Sequence, residues 1–196
     1  MKRYGLLLFV LATLWIRTAG RTQTARRPAP QEQSGFNYEL EIDSIQRPVE
    51  LSKAALQTLS KDERIHSCLD GEGMLAEELP ANWFVASEIH LEGPNEIDLI
   101  VLPGERIPDT PPGEPSANAC LVGANTGGFW VLRKTPLDFL LVLSEMAHDL
   151  EVLKTRSHGF RDIRLYTISL SSTLIQDFRF DGRHYVLSQK KSRPNS

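Results

Sequence analysis

The chain has 196 residues, 24% of them charged, and a net charge of −3. That length suits one domain with a real core and is short for two. The acidic balance argues against nucleic acid, whose binding rests on Lys and Arg neutralising phosphates.

Met1-Lys2-Arg3-Tyr4 is a basic lead, Gly5 to Ile16 an apolar run, and Thr18-Ala19-Gly20 a small-residue exit. This is the layout of a secretory signal peptide over 1–20, so the chain reads as exported, to the periplasm or the medium. The run is shorter than the roughly 20 apolar residues of a membrane span, so no stable span is expected after cleavage. Gln23-Thr24-Ala25 is a second exit, and an uncleaved N-terminal anchor is the alternative. Cleavage after Gly20 removes Lys2, Arg3 and Arg17 and no acid, making the mature chain more acidic.

An oxidising compartment makes Cys68 and Cys120 candidates for a disulfide. The bond would close a loop of roughly 50 residues, worth about 4 kcal/mol in the chain-entropy model. Two buried thiols are the alternative. Zinc is not indicated, since His66 is an isolated neighbour of Cys68.

Residues 21–35, with Pro28 and Pro30 and no apolar period, read as a disordered linker. Phe36, Tyr38, Leu40 and Ile42 alternate as in a strand. Ser52 caps a helix carrying Ala55, Leu56 and Leu59. Ser60-Lys61-Asp62-Glu63 has the spacing of a capping box that opens a second helical turn ending near Cys68. Glu72 to Leu79 reads as another short helix stopped by Pro80. From Trp83 the period becomes two, with Phe84, Ala86, Glu88 and His90 on one face and Trp83, Val85, Ser87, Ile89 and Leu91 on the other. Gly93-Pro94-Asn95 turns the chain. Ile97 to Leu102, apolar except for Asp98, reads as a strand buried on both faces. Residues 103–117 are proline-rich and read as an exposed loop.

Leu121-Val122, Phe129–Leu132, Phe139–Leu143, Leu150–Lys154, Ile163–Ile168, Leu174–Phe180 and His184–Leu187 read as further strands. Asp181-Gly182 marks a hairpin, because that pair accepts positive φ cheaply. The polar end, 189–196, reads as a flexible tail. The expected fold is mainly β (α+β): a single domain over 36–188 made of antiparallel meanders with a short N-terminal helical region.

Sliding the chain so that Asp98 falls on Asp162 aligns Asp98-Leu99-Ile100-Val101 with Asp162-Ile163-Arg164-Leu165. It also places Asn95 on Gly159 and Ile89 on Leu153. Two blade-like four-stranded units, about 83–143 and 150–187, are expected from this, with chance similarity of two hairpins as the alternative. The segments 88–102 and 151–166 resemble the FG-GAP or VCBS-like repeats of extracellular β-propellers. Those repeats carry an Asp-x-Asp-Gly-Asp-Gly-x-x-Asp-Leu turn that binds calcium. Here only Glu92 and Asp98 keep carboxylates in the first copy, with Asn95 in place of the last glycine. The second copy keeps Gly159 and Asp162, while Arg156 and His158 fall where acids belong. Two blades do not close a propeller. The resemblance therefore implies a blade-like unit without the family's metal.

Calcium needs six to eight oxygen ligands, so no metal or other cofactor is expected. Asp98 and Asp162 are instead expected to accept N–H bonds of their own turns. Ser144-Glu145-Met146-Ala147-His148-Asp149 gathers catalytic residue types, yet proximity in sequence supplies no triad geometry, and the segment reads as a polar turn. His66, His90, His148, His158 and His184 are scattered. Gly123 to Gly128 lacks a lysine at phosphate-loop spacing. Trp83, Phe129, Trp130, Phe139, Phe178, Phe180 and Tyr185 are expected in the core. The expected function is a non-enzymatic exported domain that binds an envelope or extracellular protein or a glycan. The alternatives are a small hydrolase with an unrecognised site and a structural accessory subunit.

Overall fold

The computed structural model describes residues 37–39, 48–93, 95–104, 110 and 113–195. The expected signal segment, the linker and part of the proline-rich segment lie outside the described residues. The fold is mainly β, as expected, with two antiparallel five-stranded sheets. Pro48–Val49 (β2), Phe84–Ile89 (β3), Asp98–Pro103 (β4), Gly127–Lys134 (β5) and Phe139–Ala147 (β6) form the first sheet, in that order. Asn37–Glu39 (β1), Asp149–Ser157 (β7), Phe160–Ile168 (β8), Ser172–Phe180 (β9) and Tyr185–Pro194 (β10) form the second. β3 to β6 and β7 to β10 are consecutive meanders. The chain changes sheets at His148, whose N–H donates to the Tyr166 carbonyl at 2.7 Å.

Alternation divides the side chains of the first sheet between two cores. Ile89, Leu91, Ile100, Leu102, Phe129 and Val131 meet Leu150, Val152, Ile163, Leu165, Phe178 and Phe180 of the second sheet. Phe84, Ala86, Leu99, Val101, Trp130 and Leu132 face the helices instead. Every residue of β4 is buried. The two meanders share a core and do not close as a propeller.

Helix α1, Lys53–Leu59, begins at Ser52, whose side chain accepts the Ala55 N–H at 3.2 Å. Helix α2, Glu63–Glu72, starts from Asp62, and the expected Ser60 box does not form. The Asp62 carboxylate accepts the Ile65 N–H, while Ser60 closes α1. Gly73 ends α2 at φ +67°, where a residue without Cβ is cheapest. The third expected helix shrinks to a 3-10 turn, Ala76–Glu78. Cys68 of α2 is disulfide-bonded to Cys120, with Cα atoms 5.7 Å apart. Cys120 lies in a 3-10 turn, Ala119–Leu121, rather than at the start of a strand.

Three further expectations are corrected. Residues 189–194 continue β10 and pair with β9 as far as Pro194↔Ser172. Ladder bonds to a long partner override the polar composition of this segment. Ser144–Ala147 is strand, not turn, because β6 follows β5 to Gly127↔Ala147. Asp98 opens β4 and Asp162 lies inside β8, so neither sits in a turn.

Trp130 is fully buried and meets Phe84 edge to face, with centroids 5.7 Å apart. Its ring lies over Gly128, two residues earlier on the same face. A Cβ at Gly128 would stand 2.6 Å from ring carbons Cζ2 and Cζ3. Gly128→Ala must displace the ring into packed surroundings, at a cost of about 2 kcal/mol. Denaturant unfolding followed by tryptophan fluorescence should show that loss, whereas an unchanged midpoint would contradict the packing.

Candidate functional site

A set of charged groups gathers where the β3–β4 connection, the β7–β8 turn and the β9–β10 hairpin meet. The β7–β8 turn is His158-Gly159, with φ of +50° and +87°. Positive φ at both central residues gives the twist a two-residue hairpin favours. The His158 ring nitrogen Nδ1 lies 2.8 Å from the Phe180 carbonyl oxygen.

Arg156 Nη1 donates to the carbonyls of Leu91, Glu92 and Gly159 at 2.9, 2.7 and 2.8 Å. One guanidinium thus binds the turns of both meanders. Arg161 serves the irregular stretch between Val152 and Arg156, where β7 slips its register against β8. Its Nε donates to Leu153 O at 2.7 Å, and its N–H donates to Leu91 O at 3.0 Å. Carbonyls that lose ladder partners in a bulge need such donors. The Tyr185 hydroxyl donates to Arg161 O at 2.6 Å. Arg133 pairs with Glu92 at 2.6 Å and lies 4.7 Å from the Phe160 ring centroid.

Asp98 and Asp162 are buried beside these cations, at 2% and 5% exposure. Asp98 Oδ1 accepts the Lys134 N–H of the neighbouring strand at 3.1 Å, and the carboxylate also accepts the Leu91 N–H from the β3–β4 connection. Asp98 Oδ2 and Asp162 Oδ1 are buried without hydrogen-bond partners. Burial, with a smaller push from Glu92, raises the Asp98 carboxyl to about 6 against the N–H bonds from Lys134 and Leu91 and the charge of Arg133. Burial also raises the Tyr185 phenol, and the charges of Asp98 and Asp162 add to the effect. Asp181 accepts the N–H groups of Arg183 and His184 at 2.8 and 2.9 Å, which hold its carboxyl below the ordinary range. Gly182, at φ +106°, completes this hairpin.

Ser144, His148 and Asp149 are not brought together as nucleophile, base and acid. The Ser144 hydroxyl donates to Asp62 and accepts from Arg64, on the helix side of the first sheet. His148 Nδ1 lies 3.3 Å from the Asn125 carbonyl, and its Nε2 is 3.9 Å from Asp149. Among the described residues no three His, Cys, Asp or Glu side chains group to hold a metal ion.

The outer face of the second sheet carries a different polar array. Arg164 and Asp177 pair through two bonds at 2.5 and 3.0 Å, which holds the Asp177 carboxyl below its usual range. Tyr166 donates to Glu151 at 2.6 Å. Beyond them runs β10, in which every residue after Tyr185 is exposed. Sequence reasoning found the start of this strand but missed its continuation over 189–194, and it missed the roles of Arg133, Arg156 and Arg161. No family model, no curated protein and no solved structure matches the chain.

The raised Asp98 carboxyl has a definite effect on stability. The folded chain holds this proton up to about pH 6, whereas the reference carboxyl releases it near 3.8. Its contribution is therefore fully present below about pH 4, falls as pH rises to about 6, and is absent above that. Asp98→Asn keeps an acceptor for Lys134 and cannot ionise. The stability difference, Asp98→Asn minus parent, should grow by about 3 kcal/mol between pH 4 and 7. Denaturant melts across that range measure it, and a difference independent of pH would contradict the buried carboxyl.

Proposed function

We propose that this chain is an exported, non-enzymatic interaction domain that presents the end of its second sheet to a macromolecule outside the cytoplasm. The observation that carries the reading is β10, a ten-residue strand at the sheet's end with its side chains in solvent after Tyr185. Exposed sheet edges are costly to leave open, because they pair with other chains. A long edge on a well-packed two-core body suits recognition, in which the core holds the contact surface rigid. Export is supported by the leader pattern over 1–20 and by the Cys68–Cys120 disulfide, a bond that persists in oxidising compartments. Among the described residues no helix is long and apolar enough to cross a membrane.

Two measurements on the producing cell test the two halves of the proposal. N-terminal sequencing of protein outside the cytoplasm should begin at Arg21 or Arg26, with no thiol alkylated under denaturing, non-reducing conditions. An intact Met1 with two free thiols would contradict export. A photo-crosslinker at Lys191 on β10 should capture a specific partner. The same group at Leu137, which is 97% exposed between β5 and β6, should not. Equal capture from both positions, or none from Lys191, would contradict the interaction surface.

A further inference from the structure

We propose, resting on that interaction reading, that β10 captures an acidic, extended segment of a partner protein by adding it to the second sheet as a further strand. The backbone supports a strand rather than a surface patch. β10 is the last strand in the order β1-β7-β8-β9-β10, and it pairs with β9 from Tyr185 to Pro194 with one irregularity between Leu187 and Gln189. Among the described residues, β9 is the only strand that pairs with β10, so its other side is open to a peptide backbone. The far end is tied down: the Asn195 side chain donates to Ser169 O at 2.7 Å and accepts from Thr173 at 2.9 Å. The edge is therefore pre-formed, which lowers the ordering cost of strand addition.

Charge supplies the partner's chemistry. Lys190, Lys191 and Arg193 lie on β10, and Arg179 stands opposite Val186 on β9. All four are exposed. The nearby acids are engaged, Asp177 by Arg164 and Asp181 by the N–H groups of its hairpin. A cationic ribbon thus stands on a chain whose net charge is −3. Pairing of β10 with a second copy would set these cations against one another, which is destabilising across strands. Val186 and Leu187, 37% and 49% exposed, add an apolar step at the core end. The complementary segment carries β-branched residues opposite 186–187 and acids opposite 190–193. Lysines on an edge also serve simply to repel other strands, and that role predicts no binding.

The test uses the full processed chain and a fluorescent synthetic peptide, Ile-Val followed by alternating Thr and Glu. Three controls accompany it: the peptide N-methylated at alternate residues, dextran sulfate, and the variant Lys190→Glu/Lys191→Glu/Arg193→Glu. Fluorescence anisotropy should show saturable binding of the unmodified peptide. N-methylation, which keeps charge but removes edge hydrogen bonds, should weaken binding at least tenfold, and so should the charge-reversed variant. Amides of 186–194 should gain protection from hydrogen exchange on peptide addition. The variant's melting temperature shows whether it is folded, and the N-methylated peptide tests the same claim on the unaltered protein. Equal binding of both peptides would overturn strand addition in favour of plain charge attraction. Binding of dextran sulfate without the peptide would point to an anionic glycan instead. If neither binds while the Lys191 crosslink persists, the interaction surface stands and the acidic-strand partner is wrong.

Discussion

The structure depends on the first sheet being covered on both faces. β4 and the inner part of β5 have no solvent side: Val101, Trp130 and Leu132 pack toward the helices, and Ile100, Phe129 and Val131 toward the second sheet. Such a sheet requires covers, and the rest of the fold supplies them. Helices α1 and α2 form one cover, held to the sheet side by the Cys68–Cys120 bond and by Thr58 donating to Phe139 O at 3.2 Å. The second meander forms the other. Glycine at 128 leaves room for the large ring of Trp130, so backbone and ring are matched in volume here.

Polar groups at one end of the shared core hold the two sheets in register. Arg156 and Arg161 bond carbonyls of the β3–β4 connection and the β7 irregularity, so charge here satisfies backbone acceptors. The Arg156 guanidinium ties the carbonyls of Leu91, Glu92 and Gly159 together. Asp98 and Asp162 keep buried oxygens without bonds nearby. Buried carboxylates of this kind are tolerated only where cations or donors offset their desolvation. Arg133 and the Lys134 N–H do so for Asp98.

Periodicity made much of the fold legible. The alternation after Trp83 placed Phe84 and Ala86 opposite Ile89 and Leu91, and the structure sends these pairs to the two different cores. The apolar run through Leu102 read as doubly buried because it lacks polar alternation, and β4 is buried throughout. What sequence could not show depended on partners distant along the chain. Residues 189–194 are polar and carry no local strand signal, yet β9 supplies a ladder for them. Ser144 looked like turn material because its bonds to Asp62 and Arg64 are formed across the fold. Arg156 and Arg161 serve backbone carbonyls, and no side-chain motif marks a guanidinium for that task. Of the candidate interaction surface, the strand through Leu187 was visible, while the basic residues of 189–194, without their partner strand, read as a flexible tail.

The central claim is that the doubly covered sheet makes helices, first sheet and second sheet one cooperative body, with the outer half of β10 as a formed but solvent-exposed edge. Native-state hydrogen exchange tests this most directly, because it resolves local from global opening. The account predicts that amides of Ile100, Val101, Phe129, Trp130, Ile163 and Leu165 exchange with one common free energy, equal to that of global unfolding. Amides of 189–194 should exchange through much smaller openings. A lower, separate free energy for Ile163 and Leu165 would show that the second sheet opens alone and would contradict the account.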